Sequence, residues 1–180
     1  MLSKKMTAAL NAQIAAELYS SYLYMAMNAW LAAEGHNGAA HWMSLQAREE
    51  VYHAQKFYKY IQDRDGDIKL APIEAPPFKW KSPLEIFEAA YAHEQKVTAL
   101  INNLMTLAKS ENDHATEIFL QWFVTEQIEE EASALEVARQ YKLATGQGAS
   151  ILLLDRELGT RALSVTVKNA LTGDTAAADQ

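Results

Sequence analysis

The chain's glycines and prolines fall in only a few places, and this limits its fold more than anything else in the sequence. The seven glycines stand at 35, 38, 66, 146, 148, 159 and 173, and the four prolines at 72, 76, 77 and 83. Long stretches rich in Ala, Leu, Glu, Gln, Lys and Met, the good helix formers, lie between them. The first is expected over about residues 4–34, ending at Gly35 as its C′ glycine. A second is expected over 38–64, ending in Asp65-Gly66-Asp67. The third, over 83–110, opens with Ser82 as N-cap, Pro83 at the first helical position and Glu85 placed to close a capping box. Asn112 or Asp113 can cap the fourth, over 113–145. Helices of roughly 30 residues span roughly 45 Å, and only mutual packing stabilises such rods in a chain of this size.

Linker length then sets topology. Turns at 35–37 and 111–113 are short, so each joins antiparallel neighbours. The stretch 65–82 holds every proline except Pro83 and is long enough to run the length of the bundle. This predicts an all-α four-helix bundle with one long crossover between helices 2 and 3. A fifth, short helix is expected over 150–161, too apolar to lie exposed on a monomer. Residues 1–171 are read as a single domain and 172–180 as a flexible C-terminal tail.

Several carboxylates sit where apolar residues should. On a 3.6-residue period the first helix buries Leu10, Ile14, Leu18, Ser21 and Met25, and Glu17 falls among them, with Tyr24 further along the same side. Glu50 and His53 share the second helix's inner face with Met43, Ala47, Ala54, Phe57 and Ile61. Glu94 interrupts Ala90, Val97, Ile101 and Leu104 in the third. Glu126, Gln127 and Glu130 join Phe119, Phe123 and Ala134 in the fourth. The levels agree as well. Glu17 lies about 17 residues before one turn and Glu50 about 15 after it; Glu94 and Glu126–Glu130 stand in the same relation to the other turn.

An unpaired carboxylate in a core is very costly, and a metal offsets that cost. Glu50-x-x-His53 is the spacing with which helical bundles hold metal pairs. Carboxylates with one imidazole make a hard, anionic site suited to iron or manganese rather than copper(I) or structural zinc. Glu50 is central enough to bridge two ions, with Glu17 and His53 completing one shell and Glu94 and Glu130 the other. Glu49 and Glu129 lie one residue off the inner stripe, so a surface acid is an alternative reading for each. His36, His41, His93 and His114 are expected near helix ends or the surface and are not assigned to metal. Tyr19, Tyr22, Tyr58 and Tyr60 are read as packing or interface residues rather than redox groups. Geometry alone also fits a diiron oxygenase, a manganese redox enzyme or a cation-binding cage without turnover.

Composition removes other classes. Without cysteine there are no disulfides, thiolate zinc sites, iron–sulfur clusters or cysteine nucleophiles. A formal net charge of −7 argues against nucleic acid and suits a protein that attracts cations. The segment MLSKKMTAALNAQ lacks a signal-peptide core, and no apolar run approaches about 18 residues. The expectation is a cytoplasmic protein with neither membrane nor nucleic-acid partner.

The segments AAELYSSYLYMAM (15–27), AREEVYHAQKFY (47–58), AHEQKVTALIN (92–102) and FLQWFVTEQIEEE (119–131) resemble a bacterial non-haem ferritin with a heavy-chain-type centre. The likeness runs from the start to about residue 160. It implies a ferritin-like bundle and a ferroxidase that oxidises Fe(II) with dioxygen or peroxide and stores ferric mineral in a homo-oligomeric cage of 24 copies. It implies Glu17, Glu50 and His53 on the first iron, Glu50, Glu94 and Glu130 on the second, and Gln127 hydrogen-bonding near the oxygen site. Glu49, Glu126, Glu129 and Glu130 match a third iron site, while Tyr24 and Trp122 match an adjacent tyrosine and tryptophan that can donate electrons. No haem is expected. Bacterioferritins repeat Glu-x-x-His where this chain reads Gln127-x-x-Glu130, and place a haem methionine where Val51 stands.

Overall fold

The computed structural model describes residues 1–172. Four long helices form the body: α1 (Lys4–Ala33), α2 (Asn37–Asp63), α3 (Pro83–Ser110) and α4 (His114–Ala144). Two short ones follow, α5 (Gly148–Leu158) and α6 (Val165–Thr172). Helix α1 packs along α2 and α3 along α4, while residues 64–82 cross between the pairs without regular structure. The described residues contain no strand. The fold is the expected all-α bundle with one crossover.

The helix ends follow from local chemistry. Ser3, Ser82 and Asp113 each accept a backbone N–H three residues on, capping α1, α3 and α4. Glu85 closes back onto the backbone N–H of Lys81, one residue beyond the capping-box position at Ser82. Three helices end alike. The N–H of His36, Gly66 and Asp113 returns to the carbonyl of Leu31, Ile61 and Ala108, through a left-handed residue at Gly35, Asp65 and Asn112. Glycine adopts this conformation freely, and Asp and Asn are the side chains that tolerate it.

Helix α6 falls where no helix was expected. Its Val-Thr-Val start carries β-branched residues and no helical period, yet Ser164 caps it by accepting the N–H of Val167. It packs on α2. Of the expected tail, Thr172 ends this helix and 173–180 lie outside the described residues. On α1, Met25 is exposed rather than buried: the inner face drifts from Ser21 to Tyr24, Met27 and Leu31, as a 3.6-residue period requires.

The core is split. One apolar cluster gathers Tyr24, Met27, Leu31, Met43, Phe87 and Tyr141; the other gathers Met6, Leu10, Ile14, Phe57, Ile101 and Phe123. Between them lies one polar layer. Glu17 falls between Ile14 and Leu23, Glu50 and His53 between Ala47 and Ala54, Glu94 between Ala90 and Val97, and Gln127 and Glu130 between Phe123 and Ala134. Apolar packing on both sides fixes the level at which these polar groups meet.

Candidate metal centre

Each long helix contributes to that layer. Glu17 is 1% exposed, and Glu50, His53 and Glu94 are each 2% exposed, so none relies on bulk water for its charge. Glu50 Oε2 lies 3.4 Å from His53 Nδ1, one turn along α2. Glu17 Oε1 accepts from Gln13 Nε2 at 2.9 Å, while Glu17 Oε2 and His53 Nε2 have no hydrogen-bond partner. Glu17, Glu50 and His53 bring ligand atoms within 4.8 Å of one another. A second such group is His53, Glu126 and Glu130, so one imidazole adjoins both.

Glu94 stands opposite, outside both groups. The Tyr24 hydroxyl donates to its Oε1, and Gln127 Nε2 donates to its Oε2 at 3.2 Å and its carbonyl at 3.3 Å. Gln46, buried on α2, donates to Glu130 and weakly to Glu50 Oε1 at 3.4 Å. Burial, followed by the Glu50 carboxylate, raises Glu17 to about 8 from the usual 4.5. Glu50 and Glu130 are likewise driven up, by burial and then by Glu94, and burial raises Glu94. Tyr24 is pushed well above its ordinary value by burial and then by Glu94. Clustered acids that resist ionisation alone would give up their protons to a cation, whose charge balances the carboxylates.

The ferritin-like domain profile matches residues 7–144. A bacterial non-heme ferritin of Bacteroides fragilis is 42% identical over 161 residues, covering 89% of this chain and 100% of that protein. One from Staphylococcus aureus is 40% identical over 162 residues, covering 89% and 97%. The open pore ferritin of the hyperthermophilic archaeon Archaeoglobus fulgidus superimposes with a TM-score of 0.89 at 44% identity, covering 90% of this chain and 100% of that one. The chain belongs to the ferritin family.

Other expected ferritin residues are more spread out. Glu126 is half-buried and Glu129 exposed. Glu49 is buried and points to Arg161, whose Nη2 lies 2.5 Å from Glu49 Oε2. Burial raises Glu49, and Arg161 draws it back. Trp122 stands edge-on to His53, ring centroids 5.4 Å apart, with Lys56 Nζ 4.1 Å above the Trp122 ring.

His93 is a correction. Rather than being freely exposed, it is half-buried, packs against Tyr19 and Tyr24 and shares a 2.8 Å hydrogen bond with Ser20 Oγ. Burial lowers it to about 4. Its neighbour Glu94 faces inward, and the close α1–α3 approach also covers part of the adjoining position. Sequence reading missed Gln13, Gln46 and Arg161. The glutamines precede Glu17 and Glu50 by four residues, a same-face spacing that marks them as partners. Arg161 closes the stretch expected as the fifth helix, but α5 ends at Leu158 and no helical period directs Arg161 towards Glu49.

Proposed function

We propose that this ferritin binds two Fe(II) ions within each subunit, oxidises them with dioxygen or peroxide, and stores the iron as ferric mineral inside a cage of 24 copies. The observation that carries this reading is the buried polar layer at one level of all four long helices, with Glu17 Oε2 and His53 Nε2 left without partners. Glu17, Glu50 and His53 would hold one iron and Glu50, Glu94 and Glu130 the other, with Glu50 bridging. Fe(II) is the substrate. Two Fe(II) ions and one dioxygen, with two protons, balance to two Fe(III) ions and one hydrogen peroxide.

The chain's own groups prepare this step. Glu17 keeps its proton up to about pH 8 without metal, so binding of Fe(II) releases it. Gln127 steadies Glu94 from α4, and the Tyr24 hydroxyl holds the same carboxylate from α1. Tyr24 and Trp122 would supply electrons where reduction goes beyond peroxide. Glu49, Glu126, Glu129 and Glu130 would form a third iron site beside the pair. Iron is the metal, haem has no role, and the cytoplasm is the compartment; among the described residues no helix is long and apolar enough to cross a membrane.

Rapid mixing of anaerobic Fe(II)-loaded protein with dioxygen tests the activity. A fast phase well above a protein-free control is expected; oxidation at the control's rate would leave only a cation-binding cage without turnover.

A further inference from the structure

Arg161 lies between α5 and α6, anchored where its carbonyl lies 2.9 Å from the His41 ring nitrogen. Its guanidinium stacks on Trp42 at 4.3 Å. Nη1 donates to Gln46 Oε1 at 2.9 Å and to the Trp42 carbonyl at 3.3 Å, and Nη2 donates to Glu49 Oε2 at 2.5 Å. A lone exposed ion pair would mean little. This one has a guanidinium 23% exposed, a carboxylate 11% exposed and an aromatic face beneath the fork. Of the acids expected at the third iron site, Glu126 and Glu130 come within ligand reach of His53, whereas Glu49 does not join them.

We infer, resting on the third-site reading above, that Arg161 is a tethered cation occupying the Glu49 arm of that site. Iron recruiting Glu49 competes with the guanidinium, because a second cation brought to the same buried carboxylate is repelled by the first. Arg161 therefore sets the affinity of the third site. By linkage, metal arriving there loosens the segment between α5 and α6 to the same degree. Gln46 extends the coupling, since its carbonyl accepts from Arg161 while its amide donates to Glu130.

Zn(II), which is redox-inert, probes the site in the assembled full-length protein. Calorimetric titration of the parent, Arg161→Gln and Arg161→Lys is paired with anomalous scattering from Zn(II)-soaked crystals. Arg161→Gln should tighten the third-site class by about tenfold, the size of one hydrogen bond between charged groups that iron no longer has to break. Arg161→Lys, which keeps the charge but loses the planar fork, should fall between. In parent crystals, zinc on Glu49 should coincide with Arg161 turned away. Zinc on the Glu17–Glu50–His53 group reports correct folding in every variant. Equal or weaker third-site affinity in Arg161→Gln overturns the inference, as does zinc on Glu49 with the Arg161 pair intact. Absence of zinc from Glu126 and Glu130 in all three proteins overturns the third-site reading and the inference with it.

Discussion

At the scale of single residues, the buried acids are a cost that the metal-free protein bears. Glu17 has a folded pKa of about 8 against 4.5 for a free side chain. Below pH 4.5 both folded and unfolded chains hold the proton and there is no penalty. As pH rises towards 8 only the unfolded chain ionises, so stability falls, by at most about 1.4 kcal/mol per pH unit for this one group. Glu50, Glu94 and Glu130 shift in the same direction. The melting temperature of metal-free protein should therefore decline between pH 5 and pH 8. Scanning calorimetry of Glu17→Gln, which keeps the Gln13 contact, should give a shallower decline; an identical slope would mean that Glu17 ionises normally. A second residue-level expectation separates the acids by role. Glu50→Ala or His53→Ala should slow the fast oxidation phase by at least about tenfold, since even partners behind a ligand have effects of that size. Glu129→Ala should leave that phase nearly intact in stopped-flow traces and change the iron taken up per subunit. Equal slowing by Glu129→Ala and Glu50→Ala would erase the division between the two sites.

At the scale of elements, α5 closes one end of the bundle by direct backbone contact. The first turn of α2 has no side-chain cap of its own at His36. Asp155 of α5 supplies one instead, accepting from the N–H of Gly38 at 3.0 Å and of Ala39 at 2.9 Å. A carboxylate at a helix N-terminus also opposes the helix dipole favourably. The approach is close enough that a Cβ at Gly38 would sit 1.6 Å from the Asp155 carbonyl oxygen. Gly38→Ala must therefore push α5 away, at a cost of about 1–3 kcal/mol or more. That corresponds to roughly 2–4 °C of melting temperature per kcal/mol. The loss should be visible in calorimetry, together with faster amide exchange in 148–158; unchanged exchange there would show that the two helices are not held by this contact.

At the scale of the whole molecule, α5 buries only one side within its own subunit. Leu154 and Leu158 enter the core, while Leu152 and Leu153 are 54% and 64% exposed. Leu143 of α4, 80% exposed, lies with Leu153 on a hollow of about 350 Å³. Exposed leucines grouped at one end of a bundle suit contact between copies. In the proposed cage, Leu153→Lys should shift the protein towards smaller species in size-exclusion chromatography with light scattering. A cage of parental mass and stability would remove this end from the assembly contacts.

Most of the bundle and much of the site are legible in the amino-acid order, because the signals are local. Helix formers, caps and breakers act within a few residues, and a 3.6-residue period places Glu17, Glu50, His53, Glu94 and Glu130 on inner faces without reference to any partner. Short turns then make their levels agree. Other features depend on contacts between distant parts of the chain. Arg161 reaches Glu49 only because α5 turns the chain back along α2, and Gly38 matters only because Asp155 arrives there. His93 is half-buried against α1, which no period in α3 reports. The order of residues by itself determines which groups face inward and at what height. Tertiary packing decides which carboxylates stand free for a cation and which are already held, because partner distances are set by how the helices meet.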